Sequence, residues 1–205
     1  LWAADYLMKR GTAHKALILA PLSTLERVWQ HDIFHVLMHR SVALLHGSAE
    51  KRMQRLGMDV DFYVMNHDGL KTLDMLPALQ AREDIDLIMV DEASMFRNPS
   101  TRKYRALRAL VTPERRLWLL TGTPVPNAPT DAWALANLIG SANVPKSYHH
   151  FKRQTMLQVT QFKWVPRQDA YTMAYNALQP AIRHRKADCL DLPPVVLADR
   201  SAEMS

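Results

Sequence analysis

Apolar positions along the chain form five short runs rich in Val, Ile and Leu. Runs of this length between polar turns predict strands that are buried on both faces. Between them, apolar residues recur at three- and four-residue intervals, a spacing that predicts amphipathic helices. The predicted strands span residues 15–20, 41–46, 61–66, 86–91 and 116–121, and the predicted helices span 1–10, 24–39, 49–56, 69–82, 101–110 and 130–139.

Alternating strands and helices predict an α/β fold with a central, mostly parallel sheet flanked by helices, because a parallel neighbour is reached only through a long crossover. After residue 140 the pattern changes to a basic segment punctuated by prolines, which predicts a helical C-terminal tail. We therefore expect a layered domain at 1–140, its helical tail at 141–192 and the start of a linker or second lobe at 193–205. The first residue is not Met and its helix has no cap residue, so we expect an internal fragment.

The composition fits one globular domain: 205 residues, 48% of them hydrophobic and 22% charged. No apolar run approaches the roughly 18 residues of a membrane span, so no membrane partner is expected. The single cysteine, Cys189, cannot form an internal disulfide. Lys and Arg number 26 against 20 Asp and Glu, and the net charge of +6 favours an anionic partner such as nucleic acid.

The most informative polar residues follow the strands, since ligands bind at the carboxyl ends of parallel strands. The run 87–90 ends in Asp91 and Glu92, which is the Walker B arrangement. In that chemistry Asp91 holds Mg²⁺ and Glu92 orients and deprotonates the attacking water. The structural alternative is a strand that ends in a solvated acidic turn.

Two other strand exits carry small hydroxyl residues. Thr121, Gly122 and Thr123 follow the last run, where they let the backbone approach a neighbouring loop; a plain turn is the alternative. Pro21, Ser23 and Thr24 follow the first run, and Ser23 and Thr24 are good N-cap residues. Donors at such a helix start suit a nucleic-acid phosphate, although simple capping is the commoner use.

In order and spacing, these exits resemble the Swi/Snf-type branch of the superfamily-two helicases and translocases. Segment 18–29 is similar to motif Ia, and 64–68 resembles the strand and turn before motif II. Residues 91–94 are similar to motif II, and 96–100 to the Lys-Asn-rich segment that follows it. Segment 119–124 with Asn127 resembles motif III, and 182–193 the segment that closes the first lobe. The string at 188–194 looks nearest to compact phage and bacterial members.

This resemblance implies the first RecA-like P-loop NTPase lobe of an ATP-dependent DNA helicase or translocase, which uses ATP and Mg²⁺. The implied partners are DNA, with double-stranded DNA favoured, and a second RecA-like lobe of the same chain. The implied location is the cytoplasm of a bacterial or phage-infected cell, in association with DNA. Carried onto this sequence, the family's nucleotide-coupling positions are Ser94, Thr121, Gly122 and Thr123, and its DNA-binding positions are Pro21, Ser23, Thr24, Arg97, Asn98 and Arg102.

The sequence departs from the family pattern in two places. Motif II usually ends in His, whereas this chain has Ser94, which puts the link from motif II to motif III in question. The Gly-rich phosphate loop is not in the sequence, and we expect it upstream of Leu1. Without that loop, and without the second lobe and its arginine, the 205-residue chain is not expected to hydrolyse ATP.

Several alternatives stay open from the residues alone. The chain could belong to an RNA helicase of the same superfamily, or to an inactive lobe kept for DNA binding or protein interaction. His31, His35 and His39 share a helix face and could hold zinc, but no nearby ligand cluster completes the set. The basic residues between Arg97 and Arg108 fit either a DNA backbone or a solvated helix. Trp118 and Trp133 are expected in the core.

Overall fold

The computed structural model describes residues 1–184 and Cys189. Five strands form its main sheet: β1 (Lys15–Ala20), β2 (Val42–Leu44), β3 (Phe62–Asn66), β4 (Ile85–Val90) and β5 (Arg116–Leu119). The α-helices of the described residues are α1 (Trp2–Lys9), α2 (His31–Val36), α3 (Ala49–Leu56), α4 (Met75–Gln80), α5 (Arg102–Leu110), α6 (Ala132–Leu138), α7 (Tyr148–Thr155) and α8 (Ala170–Ala177). Every predicted strand is present, within two residues of its predicted bounds.

The strands run in the order β2-β3-β1-β4-β5, and every neighbouring pair is parallel. In the middle of the sheet, Ile18 of β1 pairs with Val64 of β3 on one side and Met89 of β4 on the other. Because all the strands are parallel, their carboxyl ends lie along one edge of the sheet. The predicted α/β fold with a parallel central sheet is confirmed.

Helices cover both faces of the sheet. Successive side chains of a strand point to opposite faces, so Leu17 and Leu19 enter one hydrophobic core while Ile18 and Ala20 enter the other. The first core also contains side chains of α3 to α8, and the second contains side chains of α1 and α2. Burial on both faces explains why the inner strands β1, β3 and β4 appear in the sequence as continuous apolar runs rather than as alternating ones.

Hydroxyl side chains set the start of three helices. Ser48 accepts a hydrogen bond from the backbone amide of Lys51 at 3.3 Å, and Thr101 accepts one from Tyr104 at 3.3 Å. Ser147 caps α7 in the same way. Each cap satisfies an amide that has no partner within its own helix. Helix α3 begins after its Ser48 cap, and both of its ends lie where the sequence predicts.

The prediction of a single helix over 24–39 is wrong. The chain forms a 3₁₀ turn at Leu22–Thr24, a π-helix at Leu25–Gln30 and then α2. A π turn holds one residue more than an α turn, and apolar spacing does not reveal this insertion. The helix predicted over 69–82 is also shortened, because a 3₁₀ helix at His67–Lys71 precedes α4.

The tail that was expected to be helical contains α7 and α8, but a hairpin separates them. Its strands, β6 (Met156–Gln158) and β7 (Trp164–Pro166), are antiparallel. Each has three residues, which is too short to show the alternation of apolar and polar residues by which a strand is predicted. Of the predicted closing segment 182–193, only residues 182–184 and Cys189 are described, and the predicted linker 193–205 lies outside the described residues. In the part of the chain that is described, no helix has the length and apolar character needed to cross a bilayer.

Candidate functional site

Backbone hydrogen bonds join three strand exits at the carboxyl edge of the sheet. The Asp91 amide donates to the Leu19 carbonyl at 2.8 Å, which links the exit of β4 to that of β1. The Leu120 amide donates to Val90 at 2.8 Å and the Ala93 amide to Leu120 at 2.9 Å, which links the exits of β4 and β5. The three exits that the sequence singled out are therefore neighbours, with Asp91 and Glu92 at the centre.

The Asp91 carboxylate is held in a fixed orientation. Its Oδ1 accepts a hydrogen bond from the Glu92 amide at 2.9 Å, and its Oδ2 accepts one from Nε1 of Trp29 at 3.1 Å. A carboxylate oxygen has two lone pairs, so each oxygen keeps one for a further partner. The side chain is half-buried, and it can therefore receive a ligand from the open side of the edge.

Glu92 has a left-handed backbone conformation, with φ of 46° and ψ of 49°. It is the non-glycine residue with positive φ in the described part of the chain. Such a conformation costs an ordinary side chain about 1–2 kcal/mol, and residues held in it are concentrated at functional sites. The Glu92 side chain is exposed and forms no hydrogen bond or ion pair with the described residues. The turn thus presents a carboxylate without a protein partner beside Asp91.

His67 holds the backbone of Asp91 from the exit of β3. Its Nε2 lies 2.8 Å from the Asp91 carbonyl oxygen, which can only accept, so Nε2 carries the proton. The ring packs edge-on against Phe96, with centroids 5.2 Å apart. Burial lowers the pKa of His67, which favours the neutral imidazole. His67 therefore fixes the chain where it enters the left-handed turn.

Trp29 and His67, which both bond Asp91, were not among the predicted site residues. His67 directly follows the strand predicted at 61–66, so reading the polar residue at every strand exit would have found it. Trp29 has no comparable signal, because its direction depends on the π-helix that the apolar pattern does not reveal.

The exit of β5 is held mainly by local bonds. Thr121 Oγ1 accepts from the Thr123 amide at 3.1 Å, and Asp131 Oδ2 accepts from the Asn127 amide at 3.0 Å. Gly122 and Thr123 are exposed, and a Cβ on Gly122 would contact nothing within 4 Å. The Ser94 side chain makes no hydrogen bond within the described residues, so no such bond joins motif II to Thr121 or Thr123 there.

The exit of β1 differs from its expected form. Ser23 and Thr24 were expected to cap a helix, but neither makes a side-chain cap bond. Thr24 Oγ1 instead donates to the Pro21 carbonyl at 3.0 Å within the 3₁₀ turn. A threonine hydroxyl in a helical turn lies close to the carbonyl three residues before it, and it can bond that carbonyl rather than cap a helix. Ser23 is exposed at the same turn.

Two of the three residues predicted to bind DNA after motif II have partners within the turn. Arg97 Nη1 donates to the Ser94 carbonyl at 3.3 Å, and Asn98 Oδ1 accepts from the amide and hydroxyl of Ser100 at 3.0 and 2.8 Å. Asn98 therefore shapes an Asx-type turn before α5. Arg102 is exposed at the start of that helix, and it is the one of the three whose side chain makes no hydrogen bond to the described residues.

The three histidines predicted to share a helix face do not converge, because α2 ends at Val36 and His39 lies in the turn after it. The rings of His31 and His35 stack with centroids 3.9 Å apart, whereas His39 Nε2 bonds Asp5 at 2.8 Å. Within the described residues, no group of three or more His, Cys, Asp or Glu is arranged to hold a metal. The two tryptophans expected in the core are there: Trp133 is buried and Trp118 packs against the second core.

The carboxyl edge fits a magnesium ion that is shared with a phosphate ligand. Protein Mg²⁺ sites in phosphoryl transfer usually supply one or two carboxylates, and substrate phosphates and water complete the octahedron. Asp91 offers an oriented, half-buried carboxylate with a free lone pair on each oxygen. The 205 residues contain no Gly-rich loop with a Lys to cradle the phosphates themselves.

The chain is similar to proteins of one known family. Residues 3–205 match the family model of the SNF2-related domain. The SWI/SNF-related matrix-associated actin-dependent regulator of chromatin subfamily A containing DEAD/H box 1 homolog of Drosophila melanogaster is 30% identical over 130 residues, which are 60% of this chain and 15% of that protein. The DNA repair and recombination protein RAD54-like of Drosophila grimshawi is 26% identical over 143 residues, which are 63% of this chain and 17% of that protein.

A solved structure agrees with these relatives. The Sulfolobus solfataricus SWI2/SNF2 ATPase core in complex with dsDNA matches with 25% identity and a TM-score of 0.60, over 73% of this chain and 30% of that one. This chain thus spans less than a fifth of each curated relative named above and under a third of the solved chain. The parallel five-stranded sheet matches the fold of the solved ATPase core, so the chain forms a RecA-like lobe. The family match covers nearly every residue, and the chain therefore belongs to the SNF2-related family.

Proposed function

We propose that this chain is the first RecA-like lobe of a motor that couples ATP hydrolysis to movement on double-stranded DNA. The observation that carries the proposal is the position of Asp91 and Glu92 between the exits of β1 and β5, joined to both by backbone hydrogen bonds. The likeness to a SWI2/SNF2 ATPase core in complex with dsDNA supports duplex DNA as the partner.

In this proposal, Asp91 and Glu92 share the chemistry. Asp91 holds Mg²⁺ directly or through water, and the ion, when bound, neutralises charge on the phosphates of ATP. Glu92 orients the attacking water and accepts its proton on the carboxylate. The left-handed turn serves this role because it directs Glu92 away from the protein and leaves its oxygens open.

The nucleotide is coupled to the rest of the lobe through Ser94, Thr121, Gly122 and Thr123. The bond from the Ala93 amide to Leu120 supports this route, since a shift of the turn after Asp91 must displace the segment that leads into Thr121. Ser94 contributes through its backbone, whose carbonyl is already bonded to Arg97.

The proposed DNA side of the lobe consists of the segments after β1 and after motif II. Ser23 and Arg102 are exposed and bind phosphates directly. Pro21, Thr24, Arg97 and Asn98 set the shape of these two segments, since the side chains of the last three make hydrogen bonds there. The phosphate loop and a second RecA-like lobe belong, in this proposal, to the rest of the protein, which acts on DNA in the cytoplasm of a bacterial or phage-infected cell.

The test is ATP hydrolysis by the full-length protein in the presence of duplex DNA, single-stranded DNA or RNA, with Asp91→Asn as the control for contaminating activity. Duplex DNA is expected to give the largest stimulation. Greater stimulation by RNA would favour an RNA helicase. Hydrolysis that equals the Asp91→Asn background with every polymer would favour an inactive binding module, and either result would overturn the proposal.

A further inference from the structure

The positive charge of the chain is concentrated after the lobe. Residues 1–140 contain 17 Lys and Arg and 15 Asp and Glu, so they are nearly neutral. Residues 141–184 contain six Lys and Arg and one acidic residue, Asp169. A segment of 44 residues thus holds most of the net charge, and such clustering is typical of a surface that meets a polyanion.

The basic residues of this segment have no carboxylate partners among the described residues. In the lobe, by contrast, Lys15, Arg40 and Arg82 form ion pairs with aspartates. Of the six in the tail, all but Lys152 are exposed to solvent. Unpaired cations at this density repel one another, which makes an anionic ligand favourable. These six residues are Lys146, Lys152, Arg153, Lys163, Arg167 and Arg183.

Two arginines are brought side by side by the backbone. The Arg167 amide donates to the Thr155 carbonyl at 2.9 Å, and Arg167 Nε donates to the Arg153 carbonyl at 3.3 Å. Arg153 and Arg167 line one surface depression of about 660 Å³ together with His149 and His150. The guanidinium group is the side chain best suited to bind a phosphate oxygen pair.

The hairpin adds aromatic surface beside the charge. Lys152 Nζ lies 4.3 Å from the centre of the Trp164 ring, which joins α7 to β7. Thr160 Oγ1 accepts from the Lys163 amide at 3.0 Å and so orders the tip. Phe162 at that tip is 88% exposed. Exposed aromatic rings next to basic side chains are typical of nucleic-acid contacts.

This surface is attached rigidly to the lobe. Phe151 of α7 and Ala174 of α8 are buried in the same core as the central strands. Trp133 Nε1 of α6 donates to the Pro145 carbonyl at 2.8 Å just before α7. A ligand held on the tail would therefore be held in a fixed position relative to Asp91.

We propose that the basic face of α7 and the hairpin β6–β7 is a second DNA-contact surface, which binds the phosphate backbone of a duplex beyond the contacts at the strand exits. The inference rests on the proposed function, because it takes DNA as the partner. Charge complementarity favours DNA over a protein, and the aromatic tip of the hairpin favours contact with a sugar of the backbone over contact with an ion alone.

The experiment measures binding of a fluorescein-labelled DNA duplex to the full-length protein over a range of salt concentrations. The test variants are the double variant Arg153→Gln with Arg167→Gln, and Phe162→Ser. The matched control is Arg10→Gln with Lys51→Gln, which removes two exposed charges from α3 and from the residue after α1. All substituted side chains are exposed, so folding should be retained, and circular dichroism checks it.

The double variant is expected to bind at least tenfold more weakly at about 0.1 M salt, with a salt slope smaller by about 2, since each lost phosphate contact removes about 0.9 from the slope. Phe162→Ser should weaken binding about fivefold with an unchanged slope, because an aromatic contact releases no counterions. The control should bind like the wild type.

Three outcomes separate the inference from the proposed function. A wild-type protein that binds no duplex at any salt concentration would overturn the proposed function. Wild-type binding that either test variant retains in full would overturn this inference alone. Normal DNA binding by the double variant with lost stimulation of ATP hydrolysis would assign the surface to the coupling of DNA binding to hydrolysis, and it would also overturn the inference.

Discussion

The two edges of the central sheet use charge in opposite ways. At the amino edge, where the strands begin, charged side chains are paired with one another. At the carboxyl edge, where the strands end, Asp91 and Glu92 after β4 face no basic side chain within hydrogen-bonding distance in the described residues. The sheet is the same, so the difference supports the proposal that Asp91 and Glu92 bind a ligand, whereas the paired residues hold the fold.

The amino edge is a network of ion pairs. Arg82 meets Asp84 through two parallel bonds of 2.7 Å and also donates to the Tyr63 hydroxyl at 2.8 Å. Lys15, at the start of β1, lies 3.0 Å from the same Asp84. The Arg82 guanidinium holds the pKa of Asp84 well below its usual range, although burial opposes this. These contacts fix the positions where three parallel strands begin.

A second bridge ties the outer elements to this edge. Arg40 donates to Asp5 of α1 and to Asp61 before β3, both at 2.8 Å. Asp5 is almost fully buried; burial opposes its ionisation, but bonds from Lys9, Arg40 and His39 keep its pKa well below the usual range. At the carboxyl edge, by contrast, the bonds to Asp91 come from an amide and an indole, which orient the carboxylate without neutralising it.

The largest effect on stability is expected from Arg82→Met. The substitution leaves Asp84, the Tyr63 hydroxyl and the Leu56 carbonyl without this donor, so the free energy of unfolding should fall by about 3 kcal/mol. The activity per folded molecule should not change. Urea unfolding and DNA-stimulated ATP hydrolysis of the full-length protein measure the two, with exposed Arg10→Met as the control.

The same variant gives a pH test with a defined sign. A lowered carboxyl pKa contributes stability that is present above the ordinary value of 3.8 and lost as the pH falls below it. The difference between wild type and Arg82→Met should therefore shrink on acidification below that value. A constant difference would show that Arg82 acts through packing rather than through its pair with Asp84.

A smaller loss of stability, together with a loss of activity, is expected from His67→Phe, because His67 lies at the carboxyl edge and bonds the backbone of Asp91. The Asp91 carbonyl loses its donor, which should cost about 2 kcal/mol of stability. The turn at Glu92 also becomes less fixed, so kcat should fall about tenfold while the KM for ATP changes little. His67→Gln, which keeps an N–H at similar reach, should restore most of kcat. Equal loss in both variants would contradict a positioning role.

The smallest effect is expected from Trp29→Phe, which keeps the ring and removes the indole N–H. The Asp91 carboxylate then rotates more freely, so a higher Mg²⁺ concentration should be required for half-maximal activity, and kcat should fall about threefold. Trp2→Phe, at a residue that is 75% exposed, is the matched control. An unchanged Mg²⁺ requirement would count against the contact.

The sequence predicts the carboxyl edge better than it predicts the contacts that support it. The three inner strands β1, β3 and β4 follow from apolar runs because burial on both faces leaves no other pattern, and Asp91 and Glu92 follow from their place after β4. Trp29 could not be predicted, since its direction depends on a π turn. The hydrogen bonds that Arg97 and Asn98 make within their turn could not be predicted either, because they depend on backbone angles that charge patterns do not report.

The central claim is that Glu92 serves chemistry and not the fold, and Glu92→Gln in the full-length protein tests it most directly. Glu92 is exposed and has no bonded side-chain partner in the described residues, so the free energy of unfolding should change by less than about 0.5 kcal/mol. DNA-stimulated ATP hydrolysis should fall by a factor of about 10² to 10⁴ while DNA binding is retained. Hydrolysis close to the wild-type rate, or a loss that follows unfolding, would contradict the account.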